Sequence, residues 1–522
     1  MNFLLSLTAV LPTFDLRELF DINEVMDFAL LHQNHFKMIL PEVFLATSVL
    51  VITLHSSLLA TSRHFGFPLL VQNLNKLCLL ILVLTILLVQ NNSLVCMLTY
   101  QNIFIFDSLT LNAKQIILLS SFFCLLISEN IILKQQINNF EYFILILCAV
   151  LGLMFLVSSY DMISLYLAIE MQSLCLYVLA ASKKDSSFST EAGLKYFILG
   201  SFSSALLLFG ISILYGCVGT TNFDNFYLFF SELDLETFIL GSIVEKALLC
   251  VAVAFFFKIA AAPFHMWVPD VYEGSPTSST IFFAVVPKIA LFSIFLRLFQ
   301  VTLGVFGESF LLVLIFVSIS SVLVGSFAAL RQKKLKRLLA YSSVSHVGYL
   351  LLAFSANSLE GTQSLFFYLV VYMITNFCLW SIVVSLNTSA NEEKSKTLAD
   401  LASISNINPI LGFTGVMSIF SLAGVPPLAG FFAKMQIFIS ALSSSLFFVS
   451  LVIILSSVVA SFYYIRLIKT MYFEIKKNNP FFLQVNTFCS STMGLGLLLL
   501  FLLFINPGLL YLVTQNMALC LF

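Results

Sequence analysis

Charge is what this chain has least of. Lysine, arginine, aspartate and glutamate together make up 10% of its 522 residues, against about 25% in an ordinary soluble domain. The net charge of −1 leaves no basic excess for a nucleic-acid backbone. Paired cysteines are missing too. The ten cysteines stand singly with no CxxC, which argues against a disulfide framework, a zinc site or a cysteine-held cluster. The six histidines show no spacing that suggests haem. Only His32 and His35 stand close, in a polar "HQNH" that reads as a solvated face. The first residues carry neither a signal-peptide nor a transit-peptide pattern. Asp15, Glu18, Asp21, Glu24 and Asp27 face a single Arg17 there, and transit peptides are poor in acid. Leu16, Leu19, Phe20, Val25 and Phe28 suit one face of an interfacial helix; a loosely ordered segment suits the pattern equally.

What the chain does have is apolar sequence. Sixty per cent of it is hydrophobic and 56 residues are phenylalanine. That makes it an all-α polytopic membrane protein. A helix needs about 20 apolar residues to cross a bilayer. Fourteen such segments lie near 38–59, 72–90, 108–128, 140–158, 160–181, 193–217, 241–263, 277–300, 309–330, 338–356, 364–387, 407–441, 444–472 and 488–513. The 407–441 segment is too long for one simple crossing, and "SLAGVPPLAG" breaks it in the middle.

Basic residues gather in "TSRHFG", "LKQQ", "SKKDSS", "RQKKLKR", "NEEKSK" and "RLIKTMYFEIKKN". These follow segments 1, 3, 5, 9, 11 and 13, and the loops between are nearly free of Lys and Arg. By the positive-inside rule the odd-to-even loops share one side and both termini lie on the other. "RQKKLKR" needs no further role than this. The loop "HMWVPDVYEGSP" breaks the rule, because it lies on the basic side and is acidic.

Four charges stand well inside these segments: Glu170, Lys258, Lys288 and Lys434. A charge at a helix centre costs about 2.5–3.5 kcal/mol on insertion scales. Such residues usually face a bundle interior or water and mark ion or proton pathways. The plainer alternative is a Glu–Lys pair that holds helices together, but one glutamate cannot neutralise three lysines. A buried lysine near a carboxylate can change its charge state where a solvated one cannot. Carriers of sugars or peptides would instead offer aromatic and amide groups. His346, in "YSSVSHVGYLL", has hydroxyls around it at Ser342, Ser343, Ser345 and Tyr349. It can shuttle a proton or pack as a hydrogen-bonded histidine. His265 reads as structural and Trp267 as an interfacial anchor.

Two helix breaks accompany two of the lysines. Pro263 has no N–H to give, and Gly424, Pro426 and Pro427 interrupt the second helix. Broken helices in corresponding halves point to a transport site. The chain then divides into an extension (1–36), three helices (37–139), a five-helix unit (140–300), a second one (301–475), and a last helix with its tail (476–522).

"FKIAAAPFHMWVPDVYEGSPT", "KRLLAYSSVSHVGYLLLAF", "NPILGFTGVMSIFSLAGVPPLAGFFAKMQIF" and "SFYYIRLIKTMYF" together resemble the antiporter-like membrane subunits of the proton-pumping NADH:ubiquinone oxidoreductase, respiratory complex I. "LPEVF" and "ATSRHFGFPLLVQN" fit as well, and "VYEGSP" points to the subunit 2 branch. The resemblance runs from about Pro41 to Lys469. One departure is Ser278, where a second proline is expected. The resemblance implies fourteen helices, two inverted five-helix repeats, and a proton path along the membrane midplane. It implies that Glu170 partners Lys258, that Lys288 links two half-channels, that Lys434 faces the outlet, and that His346 lies near the connecting path. It implies that this chain binds no cofactor, while NADH, FMN, iron–sulfur clusters and ubiquinone serve other subunits. The partners implied are a small three-helix subunit, subunit 4, accessory subunits and lipid. The place implied is the mitochondrial inner membrane, with the basic loops in the matrix and both termini toward the intermembrane space. Two rivals share the buried lysines: a subunit of a related multi-subunit cation/proton antiporter, and a purely structural membrane-arm subunit.

Overall fold

The computed structural model describes residues 22–59, 68–92, 96–134, 140–232, 238–302, 307–386, 397–402, 404–474 and 485–522. The acidic residues before 22 and the basic loops 61–66 and 391–396 lie outside them. The described chain is almost entirely helical. In lipid a backbone must satisfy its own hydrogen bonds, and these apolar runs do so as helices. They are α1 (Ile22–Leu59), α2 (Pro68–Gln90), α3 (Ser108–Lys134), α4 (Glu141–Ser158), α5 (Met162–Ala180), α6 (Ser187–Val218), α7 (Phe223–Glu232), α8 (Phe238–Ile259) and α9 (Trp267–Gly274). Then come α10 (Thr277–Leu296), α11 (Gly307–Leu330), α12 (Leu335–Ser355), α13 (Leu359–Ser385), α14 (Ile404–Ile407), α15 (Pro409–Ala423), α16 (Ala429–Ser443), α17 (Phe447–Tyr472), α18 (Thr487–Ile505) and α19 (Gly508–Leu519). A short antiparallel hairpin, β1 (Met97–Thr99) with β2 (Phe104–Phe106), precedes α3.

Twelve of the described helices are long and apolar enough to cross a membrane. Each of the fourteen expected segments falls on helix, but two are divided. The 407–441 segment is α15 plus α16, as its proline pair suggested. The last segment, expected to be one helix, ends at Ile505 and resumes at Gly508 beyond Pro507.

Local sequence sets several helix ends. Asp161 caps α5 by accepting from the Ile163 amide at 3.0 Å. Ser358 does the same for α13 through Gly361. Gly424 ends α15 at φ +83°, a left-handed conformation that glycine adopts without strain. Helices α10 and α13 form the centre of the molecule and their membrane windows are wholly buried. Helix α10 packs against α3, α4, α5, α8, α12 and α13. Outer helices keep an apolar stripe exposed, as α17 does with Leu451, Leu455, Val458 and Phe462. Spacings of three to four residues put these on one helix face, which suits contact with lipid.

Candidate functional site

The site is built on the broken helices and on α10. Helix α8 ends one turn before Pro263, because Ala260 adopts φ +70°. The carbonyls freed there are not left bare. Phe257 O accepts the Trp267 indole N–H at 2.9 Å, and Ala262 O accepts the Ser320 hydroxyl at 2.8 Å. Trp267 is therefore not the interfacial anchor expected of it. It is 5% exposed and stacked on Tyr196 at 4.5 Å.

Lys258 lies in the last turn of α8 and donates to the Tyr177 hydroxyl of α5 at 3.1 Å. Glu170, also on α5, is near enough to act on Lys258 through its field. No ion pair joins them among the described residues. Oxygen Oε1 of Glu170 is buried without a protein partner. Lys288, on α10, donates to the Tyr372 hydroxyl of α13 at 3.1 Å. Lys258 and Lys288 line one narrow cavity of about 20 Å³, together with Gln172, Ser173 and Tyr272.

Lys434 is reached from the other side of α13. Its ammonium donates to Leu422 O at 2.7 Å and Ala423 O at 3.0 Å, the carbonyls that the Gly424–Pro427 break releases. It also lies 5.1 Å from the centre of the Tyr349 ring. His346 is bonded through both ring nitrogens, to Tyr368 at 2.5 Å and Tyr464 at 3.0 Å. The nearby serines do not serve it as the sequence suggested: Ser342, Ser343 and Ser345 bond back to carbonyls of their own helix. A second small cavity is lined by His346, Tyr368, Tyr372 and Lys434. Tyr372 thus touches Lys288 on one side and borders the Lys434 cavity on the other. Lys258 and Lys288 thus share one cavity, His346 and Lys434 the other, and Tyr372 links the two, while Glu170 is only half-buried.

Sequence reasoning missed another buried pair. Glu42 on α1 and Lys114 on α3 form an ion pair with side chains no more than 2% exposed. Both sit inside segments read as apolar, so the signal was there: a charge within a hydrophobic run. Four buried charges was too low a count. Arg297, just after α10, is a further one, and binds Asp107 at 2.5 Å. These pairs differ from the line of lysines in kind. Lys114 and Arg297 face carboxylates, whereas Lys258, Lys288 and Lys434 donate to oxygens without formal charge.

The acidic loop on the basic side also gains an explanation. Asp270 pairs with Lys195 of α6 at 3.0 Å and lies 3.6 Å from Arg337 of α12. Glu273 pairs with Lys334 and Arg337. Helix α9 thus ties α6 to α12 beside the first break. Among the described residues no group of three or more His, Cys, Asp or Glu side chains could hold a metal ion.

Comparison with known proteins adds the family. The profile described as "NADH:quinone oxidoreductase/Mrp antiporter, TM" matches residues 159–460, more than half of the chain. The NADH-ubiquinone oxidoreductase chain 2 of Marchantia polymorpha is 41% identical over 94% of this chain and 99% of its own length. The chain belongs to the chain 2/subunit N family of NADH:quinone oxidoreductases. Bacterial members match as well: subunit N of Pelagibacter ubique is 37% identical over 91% of this chain and 97% of its own. A chain in the respiratory complex I structure from Thermus thermophilus superposes with a TM-score of 0.74 at 27% identity, over 90% of this chain and 98% of that one. A chain of the Mrp complex of Dietzia sp. reaches 0.77 at 19% identity, over 93% and 97%. The fold is therefore common to complex I subunits and Mrp antiporters. Sequence identity separates them and favours the chain 2/subunit N family.

Proposed function

We propose that this chain carries protons through the membrane arm of respiratory complex I along the line Glu170, Lys258, Lys288, His346 and Lys434. The observation that carries the reading is the pairing of three buried lysines with neutral oxygens, two of them beside helix breaks. A carboxylate in contact would hold an ammonium in its charged form. A phenol or a carbonyl accepts from the ammonium yet does not forbid the neutral amine. Lys258 and Lys288 then exchange a proton across their shared cavity. Tyr372 and His346 carry the path around α13 to Lys434, where the freed carbonyls hold the proton before release. Glu170 acts on Lys258 through its field, beside the larger effect of burial.

In this reading the chain crosses the membrane fourteen times. Its two five-helix units, 140–300 and 301–475, are inverted repeats, each with one broken helix. The basic loops face the matrix of the mitochondrion, and both termini face the intermembrane space. Neighbouring subunits of the membrane arm, among them the small three-helix subunit, subunit 4 and accessory subunits, pack against its flanks. NADH, FMN, iron–sulfur clusters and ubiquinone are handled by other subunits, and this chain binds no cofactor.

The test is made in the intact complex. The chain should co-purify with NADH:ubiquinone reductase activity in a large membrane assembly. Lys258→Met should assemble at normal level, because methionine is apolar and a good helix former. Proton pumping by sealed vesicles should fall by at least about tenfold, a modest loss for removing a proton-transfer group. Assembled Lys258→Met complex that pumps at the wild-type rate contradicts the reading.

A further inference from the structure

We infer that Gln172 is a positioning residue, holding one water molecule between Lys258 and Lys288 so that a proton passes from one lysine to the other. The inference rests on the relay reading above. Gln172 is 2% exposed and lines the cavity that the two lysines share. Its Oε1 is buried and has no partner in the protein. Buried polar oxygens are almost always hydrogen-bonded, to protein or to ordered water. The cavity volume of about 20 Å³ suits a single water. Such a water needs two to four polar partners, and Gln172 and the two lysines supply three. The position of Gln172 is tightly set. Helix α4 meets α5 there at Gly152, where an added Cβ would lie 3.0 Å from the Gln172 backbone nitrogen and 3.3 Å from its Cβ.

Each lysine is already tied on its far side, Lys258 to Tyr177 and Lys288 to Tyr372. An ammonium has three N–H donors, so others remain for the cavity. In the transfer step one N–H bond of the Lys258 ammonium breaks and its proton joins the water oxygen. At the same time one O–H bond of the water breaks and a new N–H bond forms on the neutral amine of Lys288. The water leaves the step as water, Lys258 as amine and Lys288 as ammonium. The water keeps its second O–H, which donates to Gln172 Oε1 throughout, and that hydrogen bond holds the water in the transferring orientation.

The experiment uses the intact complex in sealed vesicles, with proton uptake measured per NADH oxidised in H₂O and in D₂O. Gln172→Leu keeps the bulk and removes the acceptor. Gln172→Asn keeps an amide oxygen but draws it back by one methylene. Pumping should decline in the order wild type, Asn, Leu. The leucine variant should lose about tenfold or more, the scale of a misplaced reacting group, and the solvent isotope effect should rise in the same order. A packing role would leave the isotope effect unchanged. Should leucine prevent assembly, the asparagine variant decides alone. Lys258→Met is measured alongside. If it stops pumping while the Gln172 variants pump with the wild-type isotope effect, the positioning role is overturned and the relay stands. If Lys258→Met itself pumps normally, the relay reading falls and the inference falls with it.

Discussion

Two kinds of buried lysine share this membrane domain, and their partners tell them apart. Lys114 is neutralised by Glu42, with both side chains no more than 2% exposed. Such a pair joins α1 to α3. Removing one partner from a buried ion pair typically costs about 3–5 kcal/mol, because the other is left uncompensated. Lys114→Met should therefore reduce the yield and thermal stability of the complex. The double variant Glu42→Met/Lys114→Met should recover much of the loss, since apolar replacement of a whole pair is often neutral. The turnover of whatever assembles should stay normal in both. Native-gel quantities and pumping rates check this, and assembled Lys114→Met complex that turns over without pumping would move Lys114 into the relay. Lys258, Lys288 and Lys434 stand on the other side of the distinction.

At the scale of elements, the proposed relay depends on where helices stop. The sequence made the second break visible: glycine, two prolines and a lysine seven residues on. The structure adds how closely the halves meet. A Cβ added at Gly430, in the first turn of α16, would overlap the Ser421 carbonyl oxygen at the end of α15. Gly430→Ala must push α16 away from α15 and carry Lys434 off the Leu422 and Ala423 carbonyls. Overpacking of this kind typically costs about 1–3 kcal/mol, so assembly should fall partly and pumping per assembled complex strongly. Gly216→Ala on α6, where a Cβ meets nothing within 4 Å, is the matching control and should behave as wild type. Equal pumping in both would show that the seat of Lys434 is not needed.

The same scale shows what the sequence could and could not tell. Apolar runs and proline breaks are local signals, and they located the helices, the two breaks and three of the four buried lysines. The hydroxyls that receive those lysines are not local. Tyr177 is 81 residues from Lys258, Tyr372 is 84 from Lys288, and Tyr464 is 118 from His346. Nothing in a tyrosine's own surroundings says which lysine it meets. Glu42 and Lys114 were legible in principle and were passed over. The acidic α9 was visible as an exception, but its basic partners come from α6 and α12 and needed the fold to find them.

Across the whole molecule the account requires a direction. On the proposed topology Gln332, in a basic loop, lies on the matrix side and Asn357, in the loop after α12, on the opposite side. Single-cysteine probes at these two positions should label from opposite faces of sealed membranes, and labelling of both from one face would contradict the topology. On the proposed relay the proton enters by the first break, passes the centre at α10 and leaves by the second. Lys434 is the last group on that path, so it tests the central claim most directly. Lys434→Met keeps a helix former of similar length but removes the proton site. Lys434→Arg keeps the charge and can still donate to the two carbonyls, yet guanidinium does not release its proton. Proton pumping and quinone reduction should be measured together on both variants of the intact complex in sealed vesicles. The account predicts assembly of both and loss of coupled pumping in both. An arginine variant that pumps at the wild-type rate, beside a methionine variant that fails to assemble, would make Lys434 a structural cation and contradict it.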